Sequence, residues 1–267
     1  MTLLASDRAG RGEPLLLLHG IGSTRDDFSA LLPRLAERYD VLSLDLPGHG
    51  GSPAVSGPPT VAALTDAVEA DLTERGLQRV HVLGNSLGAR IAIELAARRR
   101  ARSVVALSPS GLGLPSERLH QGLLMATART MTRTLRPALG ALAGSPVGRA
   151  ALLAGMRARP WEASETEALA MRGGFADSSG FWSMLWWAVL QDVPTGLHRV
   201  DCPVMLAQGA LDVVGAGQTP RYLALIPGAR FLLLPVAGHA PQSDAADAIL
   251  DLVQQTVERA APLRAGA

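Results

Sequence analysis

The five residues Gly84-Asn85-Ser86-Leu87-Gly88 constrain this chain more than any other stretch. They follow the apolar run Val80-His81-Val82-Leu83 and precede the helix-compatible run from Ala89 to Ala97. A serine between glycines at such a junction reads as a sharp strand-to-helix turn, with its hydroxyl held out as a nucleophile at the head of a sheet. Glycine is needed on both sides because neighbouring backbone comes close there and a Cβ would collide.

The rest of the chain has the layout that this turn requires. Apolar runs at 15–18, 41–44, 80–83, 103–107, 203–207 and 230–234 read as strands, and helix-like segments lie between them. That alternation predicts an α/β fold with a mostly parallel, doubly wound sheet covered on both faces. A helix is expected from Asp27 to Arg38, with Phe28, Leu31, Leu32 and Leu35 on one face. Thr60 can cap a helix running to about Arg75, and a last helix covers roughly Asp244 to Arg259. The Pro/Gly-rich segment 50–59 is a loop. Alternation stops after the strand at 103–107. From 113 to 190 the chain is helix-like, with breaks at Pro137, Gly144-Ser145-Pro146, Pro160 and Gly173-Gly174. The expected organisation is a core formed by 1–112 and 191–267, interrupted by a helical insertion at 113–190.

Composition removes several function classes. The chain has 267 residues, 25 basic and 24 acidic, for a net charge of +1. A near-neutral surface argues against nucleic acid as a partner. All the basic residues are arginine, which excludes a lysine Schiff base and a P-loop lysine. The single cysteine, Cys202, cannot form an intramolecular disulfide and reads as a buried strand residue. No signal-like N-terminus and no membrane-spanning run is present, so the expectation is a cytoplasmic protein with no membrane span. No His or carboxylate pair has metal-ligand spacing, so neither a metal nor another cofactor is expected. The oligomeric state is left open.

A serine hydroxyl needs a base to take its proton, and the base needs a third group to orient it. Behind a turn of this kind the acid and then the base follow the serine in the chain. Asp212 follows the strand 203–207, and His239 follows the strand 230–234. Residues just past the C-terminal ends of parallel strands gather in the crevice where open α/β sheets bind ligands. Oxyanion stabilisation needs two backbone N–H donors. Leu87 is the expected first donor. The second comes from His19-Gly20-Ile21-Gly22-Ser23, with Ile21 preferred and Gly22 next.

With these residues in place, the chain resembles an α/β-hydrolase of the esterase, lactonase and C–C hydrolase group. The matching segments are His19-Gly20-Ile21-Gly22, Asp45-Leu46-Pro47-Gly48-His49-Gly50-Gly51-Ser52, Gly84-Asn85-Ser86-Leu87-Gly88, Gly209-Ala210-Leu211-Asp212 and Gly238-His239. The resemblance implies that 113–190 is a cap, that His19 and His49 shape loops, and that Asp45 is structural. Asp45 precedes the serine, and Asp201 stands at the wrong end of its strand. His81 reads as a strand residue, and His120 and His198 as solvated. The run Arg98, Arg99, Arg100 and Arg102 suits a helix end.

All four tryptophans fall in the insertion, and the segment 181–190 is apolar almost all the way round. One reading makes it packing of cap on core; the sharper one makes Trp182, Trp186 and Trp187 an apolar roof over the serine. The resulting expectation is a cofactor-independent serine hydrolase cleaving an apolar or aromatic ester, lactone or thioester through an acyl-enzyme. A first rival is C–C hydrolysis of a diketone. Gly84-Asn85-Ser86 resembles the turn of meta-cleavage-product hydrolases, but those carry tryptophan after the catalytic histidine, where Ala240 stands here. A second rival is a ligand-binding receptor on the same fold.

Overall fold

The computed structural model describes residues 3–215 and 217–260. The expected core segments 1–112 and 191–267 also include residues 1–2, 216 and 261–267, which lie outside the described residues. Seven strands, β1 (Ser6–Ala9), β2 (Glu13–Leu18), β3 (Tyr39–Leu44), β4 (Val80–Asn85), β5 (Ala101–Leu107), β6 (Val204–Gly209) and β7 (Arg230–Leu234), form one sheet. Its order is β1-β3-β2-β4-β5-β6-β7. β1 runs antiparallel to β3, and all other pairs are parallel. β1 was not anticipated: Ser6-Asp7-Arg8-Ala9 has no apolar alternation, and it is a strand because it completes the edge at β3. The apolar run Leu15–Leu18 is buried on both sheet faces, as a central parallel strand must be.

Helices cover both faces. Near the N-terminus lie α1 (Leu32–Ala36), α2 (Val61–Glu74) and α3 (Leu87–Ala97). The expected helix from Asp27 to Arg38 is instead a 3₁₀ turn at Arg25–Phe28 followed by α1. Pro33 has no N–H and is tolerated only in a first turn, so α1 starts just before it. Thr60 caps α2, its hydroxyl accepting from the Ala63 N–H at 3.2 Å.

Between β5 and β6 the chain is a helical insertion, as anticipated. It comprises α4 (Pro115–Thr134), α5 (Leu139–Ala143), α6 (Pro146–Leu152), α7 (Glu165–Asp177) and α8 (Phe181–Met184), the last continuing as π-helical winding over Leu185–Gln191. Pro137, Pro146 and Pro160 all sit where one element ends and the next begins. Gly173 and Gly174 do not break α7, contrary to expectation. Ser164 and Glu167 cap its start reciprocally, and Ala168, Arg172 and Ala176 are buried along it. Gly174 lets α7 approach the loop after β2: a Cβ there would stand 3.4 Å from the Gly22 carbonyl. After β6 come α9 (Gln218–Leu225), α10 (Pro241–Asp244) and α11 (Ala246–Ala260). Alternate residues of the strands feed two apolar layers. Leu16, Leu18, Leu42 and Val82 pack with α2 and α3, while Leu15, Leu17, Val41 and Leu83 pack with α1 and α11.

The insertion is fastened at its exit by a partly buried ion pair. Arg90, on α3 directly behind Ser86, donates to Asp192 Oδ1 at 2.7 Å and to the carbonyls of Ala188 and Asp192 at 3.0 Å. At its entrance Arg221 grips Glu117 with two bonds, at 2.6 and 2.8 Å.

Glycines in two places behave oppositely. A Cβ at Gly88 would meet the Leu18 carbonyl oxygen at 2.1 Å, whereas one at the exposed Gly140 in α5 meets nothing within 4 Å. Gly88→Ala should therefore destabilise by about 3 kcal/mol or more, and Gly140→Ala should stabilise by roughly 0.5–1 kcal/mol. Urea unfolding of both variants checks the pair.

Candidate active site

Ser86 ends β4 and begins α3 with φ 53° and ψ −111°, a conformation that costs a non-glycine residue about 1–3 kcal/mol. The surroundings over-determine it. Its N–H donates to the Leu107 carbonyl at 2.8 Å, and its carbonyl accepts from Arg90 N–H at 3.1 Å. A Cβ at Gly84 would lie 2.4 Å from the Gly88 carbonyl, and one at Gly20 only 3.3 Å from Ser86 Cβ. Asn85 reaches sideways: its amide donates to the His239 carbonyl at 3.0 Å and so ties the serine turn to the histidine loop.

His239 and Asp212, the expected base and acid, lie side by side. His239 Nδ1 donates to Asp212 Oδ1 at 3.0 Å, and both residues are buried. The same oxygen accepts the N–H groups of Val214 at 2.8 Å and Gly215 at 2.9 Å. Burial pushes the Asp212 carboxyl up, but the charge and hydrogen bond of His239, with the Gly215 amide, outweigh it and hold the carboxyl at about 2. The Ser108 hydroxyl, on a backbone with φ 47°, adds a weaker pull from outside good hydrogen-bond geometry. Asp212 is thus a fixed anion that keeps the second ring nitrogen of His239 free.

The two motif histidines hold loops. His19 Nδ1 donates to the Gly20 carbonyl at 2.7 Å, and its Nε2 accepts from Leu46 N–H at 2.9 Å. His49 Nε2 accepts from Gly22 N–H at 2.9 Å. Burial lowers both, His19 to about 4 and His49, also repelled by His19, to about 3, so both are neutral at pH 7. The bond to His49 occupies the Gly22 N–H. Ile21 and Leu87, the preferred donors, make no backbone hydrogen bond through their N–H groups among the described residues. Asp45 is structural, accepting from Arg25 N–H at 2.8 Å and Gly51 N–H at 2.9 Å. His81 bonds Ser103 and Glu13, while His120 and His198 are exposed. Burial raises the Cys202 thiol to about 11, which leaves it an inert thiol.

Ser86 and His239 open into one cavity of about 300 Å³. Its walls are mainly Ile21, Leu124, Met125, Met156, Met171 and Phe175. The tryptophans are not among them, which corrects the expected roof. Trp182, Trp186 and Trp187 are 48%, 54% and 39% exposed. In the segment 181–191 the buried stripe is Phe181, Met184, Leu185, Ala188 and Val189. That spacing puts 182, 186 and 187 on the opposite face. A segment apolar all the way round gives no sign of which face turns inward.

Three functional-looking residues were missed from the sequence. Asp27 and Arg172 line the cavity, and nothing in their local pattern marks them. Asp244 joins core to cap: its carboxylate accepts from Gly238 N–H at 2.9 Å and Ala158 N–H at 2.8 Å, with Arg157 at 3.3 Å. The Met156 carbonyl accepts from Ala240 N–H at 2.9 Å, so cap backbone flanks His239 on both sides.

A strained serine at a strand-to-helix turn, a paired His and Asp, and a cap over an apolar cavity define a hydrolase class. The family model described as Alpha/beta hydrolase family matches residues 15–252, and the chain belongs to that family. It is therefore an enzyme of the hydrolase class. Over 252 residues, 91% of this chain and 92% of the relative, it is 28% identical to a pimeloyl-[acyl-carrier protein] methyl ester esterase of Neisseria meningitidis. A dihydrolipoyllysine-residue acetyltransferase component of the acetoin cleaving system of Cupriavidus necator is 39% identical over 109 residues. That match takes in 40% of this chain and spans only 29% of the relative's length. A solved hydrolase of Pseudomonas aeruginosa PA01 superposes with TM-score 0.74 at 27% identity, covering 95% of this chain and 94% of that one. No described helix is long and apolar enough to cross a membrane.

Asp27 supplies a pH test. Burial raises its carboxyl to about 6, opposed by Ser23 and His239. A carboxyl raised above its unfolded value near 3.9 binds more protons folded than unfolded, so it subtracts stability as pH rises from 4 to 6. Asp27→Asn should match the parent below pH 4 and exceed it above pH 6, by up to about 3 kcal/mol. Denaturant titrations at pH 4 and pH 8 measure the difference.

Proposed function

We propose that this enzyme is a cofactor-independent serine hydrolase that cleaves a carboxylic ester, lactone or thioester with an apolar acyl group through an acyl-enzyme. The observation that carries the reading is the strained Ser86 and the Asp212-paired His239 opening together into one largely apolar cavity. Ser86 Oγ attacks the carbonyl as His239 takes its proton, and Asp212 stabilises the imidazolium. The N–H groups of Ile21 and Leu87 receive the oxyanion. His239 returns the proton to the leaving group, and water, activated by the same imidazole, releases the acid. In this reading 113–190 is the cap over a core of 1–112 and 191–267. Support for the apolar acyl group comes from the cavity wall, not from the tryptophans.

A fluorophosphonate probe should label Ser86, and Ser86→Ala should abolish labelling and p-nitrophenyl ester turnover. Turnover within tenfold of the parent removes Ser86 from the reaction. Asp212→Asn should lower kcat by on the order of 10⁴ through the wrong histidine tautomer, whereas Asp45→Asn should act through stability. A folded Asp45 variant less active than the Asp212 variant reverses the assignment of the acid.

The cavity makes a second prediction about acyl choice. Leu124→Ala and Met171→Ala should change the ratio of hexanoate to acetate ester turnover by roughly 10-fold. Trp182→Ala and Trp186→Ala should leave it at the parental value. The ratio of kcat/KM values decides between wall and outer face.

A further inference from the structure

The cavity contains a cationic feature that an apolar acyl group does not explain. Arg172, on α7, lines it together with Ser86 and His239 and is 9% exposed. Among the described residues its guanidinium has neither a hydrogen-bond nor an ion-pair partner, and its one directional contact is the Phe175 ring, 5.8 Å away. The other deeply buried arginines among the described residues each make at least one hydrogen bond, although two nitrogens of Arg129 have no partner. Arg90 is bound by Asp192 and two carbonyls, and Arg129 by the Ser178 carbonyl. Burial pushes Arg172 down to about 10, with no neighbouring charge opposing, which still leaves it cationic at neutral pH.

An unpaired buried charge is costly, and methionine or leucine would fill the same space without that cost. The guanidinium is a planar fork of donors that matches a carboxylate with two parallel bonds, strongest where water is excluded. Its place is set by the fold. Phe175, one helical turn further on, faces Gly22 so closely that a Cβ there would lie 2.3 Å from its ring. Arg172 therefore lies about 5 Å along the helix from the wall beside the oxyanion loop, within reach of a short acyl chain. Asp27 lines the same cavity, but it is not bonded to Arg172 and lies by Ser23 and His239.

We propose that Arg172 anchors a carboxylate borne by the acyl part of the substrate, so that the preferred substrates are esters or lactones of short dicarboxylic acids. The proposal rests on Ser86 as the nucleophile. Activated half-esters of glutaric and adipic acid are compared with the neutral pentanoate and hexanoate esters, all as p-nitrophenyl esters. The parent should favour the half-esters by about tenfold or more in kcat/KM. Arg172→Met should bring that preference to about one, and Arg172→Lys should restore part of it, since an ammonium keeps the charge but not the fork. A parental preference for the neutral esters, or one that survives in Arg172→Met, overturns the proposal.

Binding separates this failure from failure of the hydrolase reading. Ser86→Ala is titrated calorimetrically with free glutarate and adipate, alone and combined with Arg172→Met. Binding that disappears in the double variant while the parent turns over no ester keeps the anchor and removes the reaction. Turnover of neutral esters through Ser86, with no Arg172-dependent preference or binding, does the reverse. If Arg172→Met does not fold, inhibition of the parent's neutral-ester turnover by adipate decides. Competitive inhibition that weakens in Arg172→Lys supports the anchor, and no inhibition at millimolar adipate overturns it.

Discussion

The whole site depends on one crowded turn. Ser86 is held at positive φ because the strand before it and the helix after it approach so closely that no side chain fits at Gly84 or Gly88. That closeness has three consequences. The serine side chain is pushed away from the sheet into the cavity. Leu87 N–H, at the first position of α3, has no backbone partner among the described residues. Asn85 is turned under the neighbouring loop, where its amide holds the backbone of His239. Strain of this kind persists only when the packing around it is tight, and both sheet faces beneath the turn are filled by buried leucine, valine and alanine.

The cap is joined to this core by an apolar stripe, Phe181, Met184, Leu185, Ala188 and Val189, which packs into the core's own cluster, and by polar contacts at a few points. Arg90–Asp192 fastens its exit, Arg221–Glu117 its entrance, and Asp244 with the Met156 carbonyl its contact with the histidine loop. Arg90 is buried and would be costly to leave without its partner, whereas the partly exposed Arg221–Glu117 pair contributes little net stability. Their effect here is to fix where the cap sits and therefore where the apolar wall stands relative to Ser86. The tryptophans, which carry most of the insertion's aromatic surface, lie on the outer face and take no part in that wall.

Inside the cavity, two ionisable groups stand in an apolar lining, Asp27 by the loop after β2 and Arg172 on the cap helix. Burial disfavours the charge on both, lifting the acid and lowering the base. Asp212 is the opposite case, a buried carboxylate held ionised by its partner and by backbone amides. The same fold thus keeps one carboxyl firmly charged and another near its titration point.

The sequence by itself determined the layered α/β fold and the strand-to-helix turn at Ser86, and it offered Asp212 and His239 as candidate partners of that serine. Each of these follows from local pattern: apolar runs of strand length, glycines where backbone crosses backbone, and polar residues just past strand ends. The loop-holding parts of His19, His49 and Asp45 were implied by the family resemblance, not by local pattern, and the structure gives each a hydrogen bond to loop backbone. The edge strand β1, the break before α1 and the uninterrupted α7 were not, because pairing and packing partners outweigh local propensity there. Only the tertiary structure decided which face of 181–191 is buried, and with it that leucine, methionine and phenylalanine, not tryptophan, line the cavity. Only it placed Asp27 and Arg172 beside the serine. Gly22 and Phe175, far apart in the chain, meet through the packing of cap on core, and a one-dimensional pattern carries no record of a contact that long-range packing alone creates.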